Sequence, residues 1–255
     1  MKREIIENFK KLSKEFYRIQ CKNWIQGTAN GTGAAGKTLE HLLGKSDDTY
    51  SLPDYYGIEL KTKTVGSFPY VGLFSMALDS APLIMQHLWE KYGWNSKTDS
   101  RFRYFYTTLY GNKYVHVGKI YSFKLKVDYF SSKLRLCIYN NWSKKLDDTM
   151  SWSFDQLKLR LETKLSYLAF VHVRRWYMND LQKYFFKYTD ITFYHLKSFD
   201  QFLKMIEEGK IRVEIKLMCF KSGKLIGNMN DKGTTFVIEE PSLQELFDVI
   251  KLDEY

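Results

Sequence analysis

Two stretches near the front of the chain carry residue types able to act on a phosphate, and they imply different chemistry. The first is Pro53-Asp54 followed by Glu59-Leu60-Lys61. In a strand, residues two apart point the same way. Glu59 and Lys61 therefore share a face, while Ile58, Leu60 and Thr62 take the other. Asp54 sits at the turn into this strand, near enough to converge on Glu59. Two carboxylates and the Leu60 carbonyl offer hard oxygen ligands of the kind Mg²⁺ prefers. Such an ion acidifies a bound water and neutralises charge on a cleaved phosphate. Lys61 is placed to orient that water or to stabilise the developing charge. The plain alternative is a solvated strand face with an ordinary ion pair.

The second stretch, Gly31 through Gly36-Lys37-Thr38, matches the phosphate-cradling pattern G-x-x-x-x-G-K-[ST]. Its context is poor. A phosphate loop needs a buried strand directly before the first glycine, and residues 21–30 are polar. The acid–x–lysine triplet is itself permissive: it recurs at Glu162, Glu208 and Glu214. Glu162 falls in an expected helix and Glu208 at the end of one. Glu214-Ile215-Lys216 lies on an expected strand but lacks a Pro-Asp turn before it.

The surrounding pattern supplies elements to position these groups. Ile5, Ile6, Phe9, Leu12 and Phe16 recur at three and four, predicting an amphipathic helix over 3–18. A glycine-rich loop over 27–36 leads to a short helix with Leu39, Leu42 and Leu43, which carries Glu40. Residues 47–53 read as a turn, and 58–63 as the strand with two faces. Further strands are expected at 70–77, 101–110, 114–127, 134–139, 168–173, 211–220 and 234–238. Gly111-Asn112 reads as a hairpin turn between two of them. Helices are expected at 83–91, 154–165 with Ser153 as N-cap, 199–208 closed by Gly209, and 243–252. Strands and helices mingle without a repeat, an α+β or mixed-sheet pattern.

Lys and Arg number 39 against 29 Asp and Glu, a formal +10 over 255 residues. That excess favours a polyanionic partner, because phosphates neutralised by protein release condensed counterions. Arg101, Arg103, Arg174 and Arg175 are basic enough to meet a backbone, and equally read as solvated faces. Cys21, Cys137 and Cys219 are odd in number and far apart, which suits neither zinc nor a disulfide framework and points to a reducing cytosol. No run of about 18 apolar residues exists to span a membrane. None of the five histidines has a partner at metal spacing.

The run Gly36-Lys37-Thr38-Leu39-Glu40, then Leu52-Pro53-Asp54-Tyr55-Tyr56-Gly57-Ile58-Glu59-Leu60-Lys61-Thr62, resembles the MvaI/BcnI family of type II restriction endonucleases, a branch of the PD-(D/E)xK nucleases related to the mismatch-repair nicking enzyme MutH. Two later blocks are similar to that family in matching order: Ser151-Trp152-Ser153-Phe154-Asp155-Gln156-Leu157 with Lys164-Leu165, and 213–216 with 222–234. The resemblance implies a restriction-endonuclease-like α+β fold, with a mixed sheet flanked by helices. It implies a monomer of two lobes around a DNA cleft, the cutting lobe within 1–165 and the reading lobe within about 166–255. By the same resemblance Asp54 and Glu59, with Leu60, bind Mg²⁺; Lys61 assists; and Glu40 supports the site from the helix after the glycine-rich loop. Lys63, Glu214, Lys216, Asn230 and Lys232 are then the expected contacts to double-stranded DNA. The family implies short sites of CC-x-GG type, but Asn230, Lys232 and Val237 replace histidines and arginines expected to read bases. A restriction role further implies a companion methyltransferase in the cytoplasm. A MutH-like nickase and a non-catalytic nucleic-acid-binding module are the alternatives.

Overall fold

The structure is a computed structural model and describes residues 3–45 and 52–252. In chain order its main elements are α1 (Arg3–Cys21), β1 (Ile25–Gln26), α2 (Ala34–Leu42), β2 (Glu59–Thr64), β3 (Tyr70–Ser75), α3 (Leu83–Tyr92), β4 (Trp94–Asn95), β5 (Arg103–Leu109), β6 (Val115–Val117), β7 (Tyr121–Asp128), β8 (Lys133–Asn140) and β9 (Leu146–Ser153). There follow α4 (Phe154–Leu165), β10 (Tyr167–Met178), β11 (Lys183–Leu196), α5 (Phe199–Glu207), β12 (Ile211–Cys219), β13 (Met229–Glu239), α6 (Leu243–Leu246) and β14 (Phe247–Ile250). None of the described helices is long and apolar enough to cross a membrane.

The chain divides into two compact units interleaved in sequence. One comprises Met1–Pro69, Leu161–Lys197 and Gln244–Tyr255; the other comprises Tyr70–Arg160 and Ser198–Leu243. The units do not follow a single break near 165, because strands from both ends of the sequence pair in the β1-β11-β10-β2 and β3-β13-β12-β5-β4 sheets.

The first unit is built on a mixed sheet, β1-β11-β10-β2, with β14 also on β11. Only β2 and β10 run parallel. β10 is central, and its run Leu168–Val171 is almost wholly buried, as a continuous apolar strand must be when both faces are covered. The predicted periodicity of α1 holds: Ile5, Phe9, Leu12, Phe16 and Ile19 face inward. They pack with α2 and with Leu60, Ala169, Val171 and Val173 of the sheet.

The second unit contains two antiparallel sheets, β3-β13-β12-β5-β4 and β6-β7-β8-β9. α5 is N-capped by Ser198, whose hydroxyl accepts the Gln201 N–H, and Gly209 follows it with φ +78°.

Three expectations fail here. Residues 111–112 do not turn a hairpin, since β5 pairs with β12 and β4 while β7 pairs with β6 and β8. Gly111 instead lies against the Ile206 carbonyl, and Asn112 donates to Glu208 O, so both close the C-terminal end of α5. The expected helix 243–252 is one turn of helix followed by β14, because Phe247 and its neighbours pair with Phe193–Leu196. The strand β9 was not expected, its first half being polar Asp147-Asp148-Thr149. The expected turn at 47–53 lies mostly outside the described residues.

A Cβ on Gly111 would collide with the Ile206 backbone. Gly111→Ala should therefore cost about 3 kcal/mol, lowering the melting temperature by roughly 6–12 °C in a calorimetric scan. An unchanged transition would show that this approach is not close.

Candidate active site

The site begins at the end of α2. Gly44 has φ +78°, a backbone conformation suited to glycine. Its N–H donates to His41 O and the Lys45 N–H to Glu40 O, a Schellman closure. The closure fixes Lys45, whose Nζ donates to Asp54 Oδ1 at 2.8 Å. Tyr55 and Ile58 exchange both backbone hydrogen bonds around Tyr56 (φ 43°) and Gly57 (φ 85°), a tight two-residue turn of the primed kind. The turn folds Asp54 back, so its Oδ2 accepts the Leu60 N–H at 3.1 Å. That N–H points away from β10. In an extended strand the carbonyl of the same residue points to the same side, so the Leu60 C=O also faces the outer edge of β2, beside Asp54.

Glu59 and Lys61 lie on the face of β2 opposite Leu60, as their spacing predicted. Lys61 Nζ donates to Glu59 Oε1 at 2.7 Å, and Lys164 Nζ lies 2.9 Å from Glu59 Oε2. Lys164 comes from the last turn of α4. Its own triplet, Glu162-Thr163-Lys164, had been set aside as helical, and nothing local in sequence links it to Glu59. Three ammonium groups thus surround two carboxylates. Glu59 is 1% exposed. Burial pushes its carboxyl up; Lys61, Lys164 and a hydrogen bond from Lys61 oppose this, the Asp54 charge adds to it, and the balance is raised. Burial also pushes Asp54 up, but hydrogen bonds from Lys45 and the Leu60 N–H, with the charges of Lys164 and Lys45, bring it below the ordinary carboxylate range.

Among the described residues no three His, Cys, Asp or Glu side chains cluster as a metal cage. The donors at this edge are two carboxylates and one free-edge carbonyl. Glu59 Oε2 is buried and takes no aligned hydrogen bond, its contact with Lys164 being an ion pair. An all-oxygen set fits a hard divalent cation better than a soft one. A concavity of about 300 Å³ opens here, lined by Lys45, Pro53 and Asp54 among others.

Glu40 stands on the other side of β2. The Cβ position of Gly36 lies 3.8 Å from Glu40 Oε1 and 3.4 Å from Thr62 Oγ1. Gly36 thus packs beside both Thr62 of the strand and Glu40 one turn on in α2. The phosphate-loop match has no cradle. α2 starts before Gly36, and Thr38 is fully buried, its hydroxyl donating to Ala34 O and accepting the Thr28 N–H. Lys63 is 8% exposed and its ammonium donates to Phe68 O, so it braces the loop after β2.

The remaining expected DNA contacts all fall in the second unit. On β12, Glu214 is held between Arg212 at 2.6 Å and Lys216 at 2.7 Å. Arg212, absent from the expectations, stacks on Tyr70 with 3.4 Å from guanidinium to ring centroid. The pairing of β12 with β13 slips between Ile215 and Leu217, leaving Lys216 opposite Lys232-Gly233, with Gly233 at φ +103°. Asn230 pairs with Met218 just beyond. The slip bunches the polar residues of both strands, and Glu214 and Lys216 line a hollow of about 560 Å³ with Tyr106, Tyr110 and His116.

A mixed sheet whose edge strand presents this acid–acid–lysine set defines the restriction-endonuclease-like class of folds. A family model described as "MvaI/BcnI restriction endonuclease family" matches residues 13–247. The structure is similar to that of restriction endonuclease MvaI in complex with cognate DNA, with TM-score 0.86, 27% identity, and coverage of 96% of this chain and 98% of that one. It is also similar to MvaI in the absence of DNA, with TM-score 0.60, 24% identity, and coverage of 96% and 97%. No curated protein matched. The chain belongs to the MvaI/BcnI restriction endonuclease family. It is a type II restriction endonuclease, an enzyme that cuts DNA at a specific site.

Because the Lys164 charge lowers the Glu59 pKa, Lys164→Met should move the Glu59 carboxyl titration, followed by ¹³C NMR, further upward. A titration that stays put would separate the two residues.

Proposed function

We propose that the first unit cuts DNA with Asp54, Glu59 and Lys61 around Mg²⁺, and that the second unit reads the bases. The convergence of Asp54 and Glu59 with Lys61 at the outer edge of β2 carries this reading. Asp54, Glu59 and the Leu60 carbonyl would hold the cation. When bound, it supplies an acidified water and charge neutralisation at the phosphate. Lys61 hydrogen-bonds the incoming water or a phosphate oxygen and stabilises the charge that grows as the P–O bond breaks. Lys45 and Lys164 position the two carboxylates. Glu40, through the close approach at Gly36, supports the strand from its other face.

Specificity is assigned to β12 and β13. A carboxylate accepts from cytosine N4, lysine donates to guanine O6 and N7, and asparagine suits adenine. Glu214, Lys216, Lys232 and Asn230 supply these types, in keeping with a short site of CC-x-GG kind. The enzyme is read as a cytoplasmic monomer protected by a methyltransferase of the same system.

With Mg²⁺ the protein should convert plasmid to linear fragments of fixed size, and sequencing of their ends gives the site. Lys61→Ala should slow cutting by about 10²–10³-fold while Kd for the same DNA, measured in Ca²⁺, changes little. Undiminished cutting by Lys61→Ala would overturn the assignment, and a nicked circle as the end point would favour the nickase.

A proton on Glu59 competes with the cation. Since its pKa is raised, the proton competes up to a higher pH than an ordinary carboxyl allows. Mg²⁺ affinity by calorimetry should thus rise with pH through that raised value, and Glu59→Gln should flatten the profile. An equally steep profile in Glu59→Gln would exclude Glu59 as the titrating ligand.

A further inference from the structure

We propose that the hairpin formed by the far ends of β10 and β11 is a second, sequence-neutral grip on duplex DNA, engaging the backbone outside the recognition site. β2 pairs with β10 only as far as Val173. Beyond it the two strands continue to Met178 and Lys183, with the short β1 on the outer edge of β11 at Phe185 and Phe186. On one face Arg174 sits opposite Lys187, Trp176 opposite Phe185, and Met178 opposite Lys183. Residues 174–187 contain Arg174, Arg175, Lys183 and Lys187 against the single acid Asp180. None of these four cations is paired with a carboxylate among the described residues.

The rings on the ribbon are fixed rather than loose. Trp176 stands 5.7 Å from Phe185 and 6.2 Å from Trp24, and Tyr177 lies 4.8 Å from Tyr184. The Arg175 guanidinium lies 5.0 Å over the Tyr184 ring. The segment after Trp24 clamps the base of the hairpin: the Gly27 N–H donates to Tyr184 O at 2.8 Å, an approach so tight that a Cβ there would lie 2.8 Å from the Phe186 ring. Trp176 and Tyr177 remain 48% and 43% exposed. Alternating cations and flat rings suit a sugar–phosphate backbone: the cations neutralise phosphates and the rings pack on sugars.

Distance along the sheet sets this contact well away from Lys61. Phe170 is the register partner of Lys61, and Arg174 and Met178 lie four and eight residues further along β10. At about 3.4 Å per residue the ribbon spans roughly 14–27 Å from Lys61, the length of about 4–8 base pairs of duplex. The proposal rests on the chain being a DNA endonuclease and is independent of the roles given to Asp54, Glu59 and Lys61.

The test is the salt dependence of binding, measured by anisotropy in Ca²⁺ on two duplexes carrying the mapped site, one with about two flanking base pairs on each side and one with about twelve. On the long duplex, Arg174→Gln/Arg175→Gln/Lys183→Gln/Lys187→Gln should reduce the slope of log K against log salt by roughly 2–4, since each phosphate contact contributes about 0.9. On the short duplex variant and wild type should coincide, and Arg174→Lys/Arg175→Lys should keep the wild-type slope. An unchanged slope on the long duplex would overturn the proposal, as would an equal loss on the short one or the same loss in the charge-conserving variant. Failure here leaves the Lys61→Ala result untouched, so the two readings fall separately.

Discussion

Two carboxylates on neighbouring positions of a buried edge repel each other, and burial alone favours their protonated forms. Asp54 and Glu59 are held together because three lysines meet them: Lys45 and Lys164 from outside the strand, Lys61 from within it. These pairs are mostly shielded from water, and loss of one partner from a buried pair costs about 3–5 kcal/mol. The acids therefore end with different proton affinities, Asp54 lowered and Glu59 raised. The negative charge of this edge is thus balanced by side chains of the chain itself.

Each lysine is delivered by a different structural device, so the site reports on the whole first unit. Lys45 depends on Gly44 closing α2. Lys164 depends on α4 ending where the buried strand β10 begins, with Leu168 in register with Glu59. Lys61 depends only on strand alternation. Behind them α1 and α2 cover the sheet through Leu12, Leu39 and Val171.

What was legible in the sequence follows from this hierarchy. Local patterns revealed Asp54, Glu59 and Lys61, the amphipathic α1 and the core strand β10, because period and turn chemistry act over a few residues. Lys164 stood in a family-like block, but its pairing with Glu59 was not legible: its triplet is helical and its partner lies 105 positions earlier, a pairing fixed by tertiary register alone. Lys63 looked like a free basic residue, yet its own loop captures it. The segment after Leu246 has helix-compatible spacing, but the open edge of β11 offers hydrogen bonds that one more helical turn would not. The glycine signal at Gly111 was real but belonged to a close approach, not a hairpin.

Glu59-Leu60-Lys61 and Glu214-Ile215-Lys216 are the same local motif put to different use. Both glutamates share a face with the lysine two residues on, and both are met by a second cation, Lys164 or Arg212. The difference is the Pro-Asp turn. It adds a second carboxylate, Asp54, whose Oδ2 accepts the Leu60 N–H on the outer edge of β2. Glu214 has two cations around one carboxylate, with Arg212 further anchored on Tyr70. The charge of that carboxylate is met by side chains of its own strand. The triplet alone therefore specifies neither task. The neighbouring turn adds a second carboxylate at the first triplet, and the bulge opposite Lys216 bunches polar side chains at the second.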